Sequence, residues 1–122
     1  NELHIYTWAN YIDQDLINAF TEQTGIKVTF DVFDSNETML ATFQAGKAGI
    51  YSIIYPTDYK VAQMTSLGYL SELDHSRLDE LNNLAPRFRE LVHDPGNRFS
   101  VPVSWGTTGL VYNSAKLSEP PS

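Results

Sequence analysis

Aromatic side chains stand beside polar ones at two points where the sequence pattern predicts that a strand ends. Trp8-Ala9-Asn10-Tyr11 follows the first predicted strand, and Thr57-Asp58-Tyr59 follows the third. Ring faces attract ammonium groups and cover methylene groups. Carboxylate and amide oxygens accept hydrogen bonds from a buried cation whose desolvation would otherwise be costly. These residue types therefore suit a pocket for a linear polyamine, in which charged amines alternate with methylene chains.

The same aromatic residues also have plainer interpretations. Trp8 could pack into the core, and Tyr11, just before a predicted helix, could form a hydrophobic staple for it. The strand-end set Asp34-Ser35-Asn36-Glu37 is polar and acidic but contains no aromatic residue. Residue pattern alone leaves the binding and the packing interpretations open.

Strand-like and helix-like spacings of apolar residues alternate along the chain. This alternation places the two residue sets at one edge of a sheet. The order β-α-β-α-β-α with short connections predicts a parallel sheet with helices on its faces. Ligands of open parallel sheets bind outside the carboxyl ends of the strands. The predicted strands are Leu3–Trp8, Ile26–Phe33 and Ser52–Tyr55, and the helices begin near Asp13, Ser35 and Val61 and end near Gly25, Gly46 and Gly68.

The pattern weakens after Gly68. Asp94-Pro95-Gly96-Asn97 indicates a turn, and Ser118–Ser122 has the composition of a linker. We predict a first α/β domain over residues 1–108, followed by a crossover strand and linker over 109–122. Short extended segments are predicted at 69–70, 99–103 and 109–112, with small helices over 77–84 and 86–91.

Composition limits the classes of function. The 122 residues are the size of one domain, and eight basic residues against fifteen acidic ones give a net charge of −7. This charge disfavours nucleic-acid binding, which needs clustered Lys and Arg, and mildly favours a cationic ligand. The sequence has no cysteine, so thiolate catalysis and disulfides are excluded. No apolar run approaches the roughly 18 residues that cross a bilayer, and the N-terminus shows no signal-peptide pattern.

Motifs for catalysis, cofactors or metals are not found. The chain has no Gly-rich phosphate loop, no G-x-S-x-G and no H-E-x-x-H motif. His4, His75 and His93 are far apart in sequence, which disfavours a shared metal site. A hydrolase that uses paired carboxylates is disfavoured as well, because no nucleophile, base and orienting group cluster together. We therefore expect neither an enzyme nor a cofactor.

Five sequence runs in register resemble the spermidine/putrescine-binding proteins. The similarity extends from Leu3 to about Asn113. The runs are IYTWANYI (5–12), FTEQTGIKV (20–28), SNETM (35–39), YPTDY (55–59) and VPVSWG (101–106).

The resemblance implies a periplasmic-binding-protein fold of type II. In that fold two α/β lobes close over the ligand at a hinge, so this chain corresponds to the first lobe and lacks the second. By position, the resemblance implies that the ligand-binding residues are Trp8, Ala9, Asn10, Tyr11, Thr57, Asp58 and Tyr59. Thr57 stands where the family usually has Ser, and Asn10 where it often has an acid. The latter difference removes one anionic partner for an amine.

The resemblance also implies a function in transport. We expect the protein to capture putrescine or spermidine and deliver it to the permease of an ABC importer. Its compartment would be the periplasm or another extracytoplasmic space, with or without a lipid anchor. A second lobe or a complementary fragment would complete the cleft. The alternatives are another organic cation, a sugar or an amino acid as cargo, or an isolated lobe that self-associates without ligand.

Overall fold

A computed structural model of the chain describes residues 1–117 and residue 119. Three strands and three α-helices alternate through its first 66 residues, followed by irregular structure with short 3-10 turns. The elements are β1 (Glu2–Trp8), α1 (Gln14–Thr24), β2 (Lys27–Phe33), α2 (Asn36–Thr42), β3 (Ile53–Ile54) and α3 (Asp58–Ser66). A π-type turn (Phe43–Lys47) and 3-10 turns (Ala48–Ile50, His75–Arg77, Asp79–Asn83, Pro86–Phe88) complete the list.

The three strands form one parallel sheet in the order β2-β1-β3. Ile5 of β1 lies between Phe30 of β2 and Ile53 of β3. Crossing helices connect the strands, because parallel neighbours cannot be joined by a tight hairpin. The predicted α/β class with a mostly parallel sheet flanked by helices is therefore confirmed.

Local signals in the sequence set the helix ends. The Asp13 side chain accepts a hydrogen bond from the Asp15 amide at the start of α1, and Gly25 ends that helix with φ 70°. This left-handed conformation strains most residues but not glycine. The Ser35 side chain accepts from the Thr38 amide and begins α2. All three residues were predicted in these roles.

The main core lies on one face of the sheet. Tyr6 of β1 and Phe33 of β2 face this side and pack against α2, the following turn and α3. Met39 of α2 and Met64 of α3 are completely buried between these elements. The other buried members of this cluster are Leu40 and Phe43.

The opposite face of the sheet is buried along its central strand, at Ile5 and Thr7, and open at its two outer strands. Phe30 and Val32 of β2 and Ile53 of β3 are exposed there, by 41%, 55% and 44% respectively. Helix α1 runs beside this face but buries none of its own residues. Of the strand predicted over Ser52–Tyr55, only Ile53 and Ile54 form a strand, and Ile53 is exposed. Ile54 packs against the core cluster, and Ile53 alternates with it onto the opposite face.

Regular structure ends earlier than the sequence pattern predicted. Within residues 69–117 the structure contains no strand at the three predicted segments, and the two small helices are reduced to 3-10 turns. The amides of residues 98–100 instead donate to the Asp94 carboxylate, so they are unavailable for a sheet. Residues 109–113 pair with no described strand, and the domain boundary at residue 108 stays a prediction. The predicted linker 118–122 lies outside the described residues, apart from Glu119.

None of the helices described by the structure is long and apolar enough to cross a membrane.

Candidate ligand-binding site

The carboxyl ends of all three parallel strands meet at one edge of the sheet. There β1 ends at Trp8, β2 at Phe33 and β3 at Ile54. The residues predicted to bind ligand all lie at or just after these strand ends: Trp8 is the last residue of β1, residues 9–11 follow it, and residues 57–59 follow β3 at the start of α3. Parallel topology therefore brings the two predicted sets to the same edge.

Trp8 is half-buried and ties two strand ends together. Its indole Nε1–H donates to the carbonyl oxygen of Tyr55 at 2.8 Å. Its ring meets the Phe33 ring edge-on, with centroids 4.5 Å apart. One side of the indole therefore packs against the core, in agreement with the plainer interpretation. Trp8 also lies at the edge of the sheet where the strands end, on the side nearest the core.

The loop after β1 carries an exposed phenol. Ala9 and Asn10 are exposed, and Asn10 adopts φ 57°, a left-handed conformation that asparagine tolerates better than most residues. The exposed Tyr11 ring meets the Tyr55 ring edge-on at 5.9 Å. The hydroxyls of Tyr11 and Ser104 form a hydrogen bond, which fixes the far end of the phenol.

Tyr55 was absent from the predicted site, yet it joins two of the predicted aromatics. Its carbonyl oxygen accepts from Trp8, and its ring packs against Tyr11. Burial, and secondarily the neighbouring Tyr11 phenol, raises the pKa of the Tyr55 phenol above its ordinary value. Tyr55 therefore offers apolar ring surface and a neutral hydroxyl. Its position directly after β3 was the signal that could have identified it.

The loop after β3 carries the remaining predicted residues. Thr57 immediately precedes α3, and its backbone N–H donates to Oδ1 of Asn36 at 3.1 Å. The enclosed Thr57 hydroxyl makes no hydrogen bond within the described part of the chain. Asp58 is exposed and accepts from the Tyr59 amide at 2.7 Å. The exposed Tyr59 accepts a hydrogen bond at its hydroxyl from Nδ2 of Asn36, at 3.2 Å.

A buried lysine lies directly beneath Tyr59. Lys60 Nζ is 3.1 Å from Oε1 of Glu37 and 3.0 Å from Oε1 of Gln63. The same ammonium lies 5.5 Å from the centre of the Tyr59 ring. Hydrogen bonding from Lys60 lowers the pKa of the Glu37 carboxyl below its ordinary value. Glu37 therefore remains an anion beside Lys60 and offsets its positive charge.

The predicted residues thus form two groups at one edge. Trp8 and Tyr11 meet at Tyr55, whereas Thr57 and Tyr59 meet at Asn36. Tyr59 contacts no other aromatic ring in the part of the chain that the structure describes.

Exposed phenol rings beside a free carboxylate oxygen suit an organic cation. They do not form a metal site, and no cluster of His, Asp and Glu able to hold a metal occurs among residues 1–117.

Known proteins can be aligned with most of this sequence. The putrescine-binding periplasmic protein PotF of Escherichia coli is 43% identical over 117 residues, which cover 94% of this chain and 31% of PotF. The putrescine-binding periplasmic protein SpuD of Pseudomonas aeruginosa is 41% identical over 120 residues, covering 94% of this chain and 32% of SpuD. The chain therefore spans about a third of the length of the curated relatives it matches.

A solved structure shows the same fold. The spermidine/putrescine ABC transporter substrate-binding protein PotD of Streptococcus pneumoniae superimposes with a TM-score of 0.87 at 41% identity. The match covers 99% of this chain and 37% of that protein. The predicted resemblance to spermidine/putrescine-binding proteins, and the fold it implied, are therefore confirmed.

A family model agrees with these two comparisons. It matches residues 15–122, nearly the whole sequence, and its description is "Bacterial extracellular solute-binding protein". By its sequence and its fold, the chain belongs to the bacterial extracellular solute-binding protein family.

Proposed function

We propose that the protein carrying this chain captures a linear polyamine, putrescine or spermidine, and delivers it to an ABC importer. The observation that carries this proposal is the sheet edge where Tyr11 and Tyr59 expose their rings and Asp58 exposes a carboxylate. The names of PotF and SpuD state that they bind putrescine. A membership in the same family supports the same class of cargo here.

Each group at the edge has a distinct task in this proposal. The Tyr11 and Tyr59 rings cover methylene groups and attract ammonium groups to their faces. Asp58 accepts hydrogen bonds from an ammonium through the oxygen that its own helix start leaves free. Trp8 forms the inner wall. The proposed ligand-binding residues are Trp8, Ala9, Asn10, Tyr11, Thr57, Asp58 and Tyr59, to which the geometry adds Tyr55.

The proposed activity is binding without bond-making chemistry, and it needs neither a cofactor nor a metal. One edge of one sheet surrounds a ligand incompletely, so further chain must form the facing wall. The relatives are about three times as long as this chain, which leaves ample length for a second lobe. The importer's permease is the proposed partner for delivery. The proposed location is the periplasm or another extracytoplasmic surface, soluble there or lipid-anchored.

Calorimetry of the full-length protein with putrescine and with spermidine tests the proposal. We expect saturable binding of at least one amine, with an affinity that falls as salt is added. A variant Asp58→Asn should bind more weakly, because it replaces an anionic acceptor with a neutral amide. Exposed Asp79 offers a matched control, since Asp79→Asn makes the same change in charge away from the edge. Absence of heat with both amines, and absence of competition between them, would contradict the proposal.

Asn10 supports a second candidate, in which the same site takes another organic cation, a sugar or an amino acid. This exposed amide lies at the strand-end edge where the resemblance implied an acid. Replacement Asn10→Asp should tighten putrescine binding if an ammonium lies beside it. Unchanged putrescine affinity, together with calorimetric binding of a sugar or an amino acid, would favour the second candidate.

The open sheet face supports a further proposal about partners. Phe30, Val32 and Ile53 present apolar side chains there, and exposed patches of this kind favour association. We expect the 122-residue chain to self-associate at high concentration through this face. Sedimentation at several concentrations checks this, and Val32→Lys should shift the mass towards the monomer. A monomeric mass for the chain at every concentration would argue against it.

A further inference from the structure

One buried amide joins the start of α2 to the segment after β3 that approaches the proposed ligand. Asn36 is the first residue of α2 and is only 6% exposed. Its Oδ1 accepts the backbone N–H of Thr57, and its Nδ2 donates to the hydroxyl of Tyr59. The two partners lie 21 and 23 residues further along the chain. A single side chain therefore fixes the start of α3 relative to the start of α2.

The chemistry of the amide gives these bonds a direction. A backbone N–H can only donate, so the atom of Asn36 that faces Thr57 must be the oxygen. The NH₂ group then faces Tyr59, and the phenol oxygen accepts from it. As a result, the hydrogen of the Tyr59 hydroxyl is directed away from Asn36. Tyr59 thus presents a donor outward while its ring is held by a buried partner.

A second contact restricts the Tyr59 ring from below. The Lys60 ammonium lies 5.5 Å from the ring centre and is itself held by Glu37 at 3.1 Å. The ring is nevertheless 56% exposed, so its other face is open. An exposed side chain normally loses rotamer freedom when a ligand binds, and this loss weakens affinity. A ring anchored before binding avoids most of that loss.

We infer that Asn36 is a positioning residue of the proposed polyamine site, acting on the ligand through Tyr59 and the Thr57 backbone. The inference rests on the proposed function for the identity of the ligand. It goes beyond the proposed contact residues, because Asn36 is buried and does not itself reach the ligand. Its role is to set the orientation of an aromatic wall before the amine arrives.

Putrescine titrations of the full-length protein test the inference with three single variants and one double variant. Asn36→Ala removes both bonds and should weaken putrescine binding by about tenfold, the scale set by one or two net hydrogen bonds. Tyr59→Phe removes only the hydroxyl and should weaken binding less. The double variant Asn36→Ala/Tyr59→Phe should bind no more weakly than Asn36→Ala alone, because both changes break one shared link.

Asn36→Asp serves as the conservative variant. Its carboxylate still accepts from Thr57, and the Tyr59 hydroxyl can turn its hydrogen inward to donate to the other oxygen. We expect putrescine affinity within about threefold of the wild type, since both links persist with one reversed. If Asn36→Ala is too unstable for titration, the putrescine affinities of Asn36→Asp and Tyr59→Phe are compared with that of the wild type instead.

Amide hydrogen exchange without ligand separates this inference from the proposed function. The Thr57 amide should exchange faster in Asn36→Ala and remain protected in Asn36→Asp and Tyr59→Phe. Wild-type putrescine affinity in Asn36→Ala, or fully additive losses in the double variant, would overturn the inference while the proposed function stands. Failure of the wild type to bind any amine would overturn the proposed function. Even if the wild type binds no amine, an equal rate of hydrogen exchange at the Thr57 amide in Asn36→Ala and in the wild type would overturn the positioning role.

Discussion

All eight buried apolar side chains of the described residues lie before residue 65, whereas the buried side chains after residue 70 are Asp94 and Asn97. We call residues 1–70 the sheet region and residues 71–117 the loop region. The sheet region folds around an apolar cluster that includes Met39 and Met64. The loop region instead folds around polar groups that hold its backbone.

The Asp94 carboxylate shows how the loop region is held. It accepts hydrogen bonds from the amides of Arg98, Phe99 and Ser100 and from the Ser100 hydroxyl, at 2.7 to 3.1 Å. Asn97 donates from its side chain to backbone carbonyls nearby. Such bonds satisfy backbone groups that regular structure would otherwise pair. Burial of apolar side chains thus holds the sheet region together, whereas hydrogen bonds between side chains and backbone hold the loop region.

The largest expected effect comes from emptying the core of the sheet region. Met64→Ala should lower the free energy of unfolding by about 2–5 kcal/mol, because Met64 is completely buried and its loss leaves a cavity. Urea denaturation measures this change. The control is Leu16→Ala on α1, where Leu16 is 67% exposed, and it should change stability by no more than about 0.5 kcal/mol. Equal losses for the two variants would contradict the assignment of the core to one face.

A smaller and more local effect is expected in the loop region. Asp94→Ala leaves several amides without their acceptor, at a cost of about 1–3 kcal/mol for the opening of that loop. Hydrogen exchange of the Arg98, Phe99 and Ser100 amides should accelerate, while β1 amides keep their protection. Asp79→Ala, at an exposed aspartate, is the matched control. Equal acceleration in β1 would show that the two regions do not behave separately.

The smallest effect concerns an ion pair in each region. In the sheet region the Lys60 partner lowers the pKa of Glu37 from 4.5. This pair therefore contributes stability above that pH, and the contribution is lost as the pH falls towards the lowered pKa. Glu37→Gln should remove this part of the acid dependence, measured by urea denaturation at several pH values below 5.

The loop region provides the matched comparison for Glu37. Glu72 and Arg98 form a pair at 2.9 Å in which both side chains are exposed, and such pairs contribute about 0–1 kcal/mol. Glu72→Gln should leave the acid dependence nearly unchanged. A larger change in the acid dependence of the stability for Glu72→Gln than for Glu37→Gln would contradict this prediction.

The sheet region was largely predictable from sequence, whereas in the loop region the predicted turn at Asp94–Asn97 forms but the predicted strands and helices do not. Periodic apolar residues, the Asp13 cap and the left-handed Gly25 leave local signals that a sequence pattern shows directly. The bonds from Asp94 span four to six residues without any periodicity, so they leave no comparable signal. No strand forms over the extended segment predicted at 99–103, whose first two amides donate to Asp94 instead.

The candidate site was predicted in its location and incompletely in its members. The parallel order of strands places residues 9–11 and 57–59 at one edge, as expected. Tyr55 and Asn36 were not identified as site residues, although Tyr55 directly follows β3 and Asn36 belongs to the polar set after β2. Their roles depend on contacts over 47 residues from Trp8 and 21 residues to Thr57, which only the folded chain defines.

The hydrogen bond from the Trp8 indole to the Tyr55 carbonyl makes Trp8 an intrinsic fluorescence probe of the strand-end edge. The chain contains two tryptophans, and Trp105 is 63% exposed, whereas Trp8 is half-buried with its Nε1–H committed. Emission from Trp8 will lie to the blue of emission from Trp105. With Trp105 replaced by Phe, the remaining fluorescence will come from an indole fixed between two strand ends. Binding of a molecule against Tyr11 and Tyr55 will then change the emission of Trp8, so that no attached dye is needed.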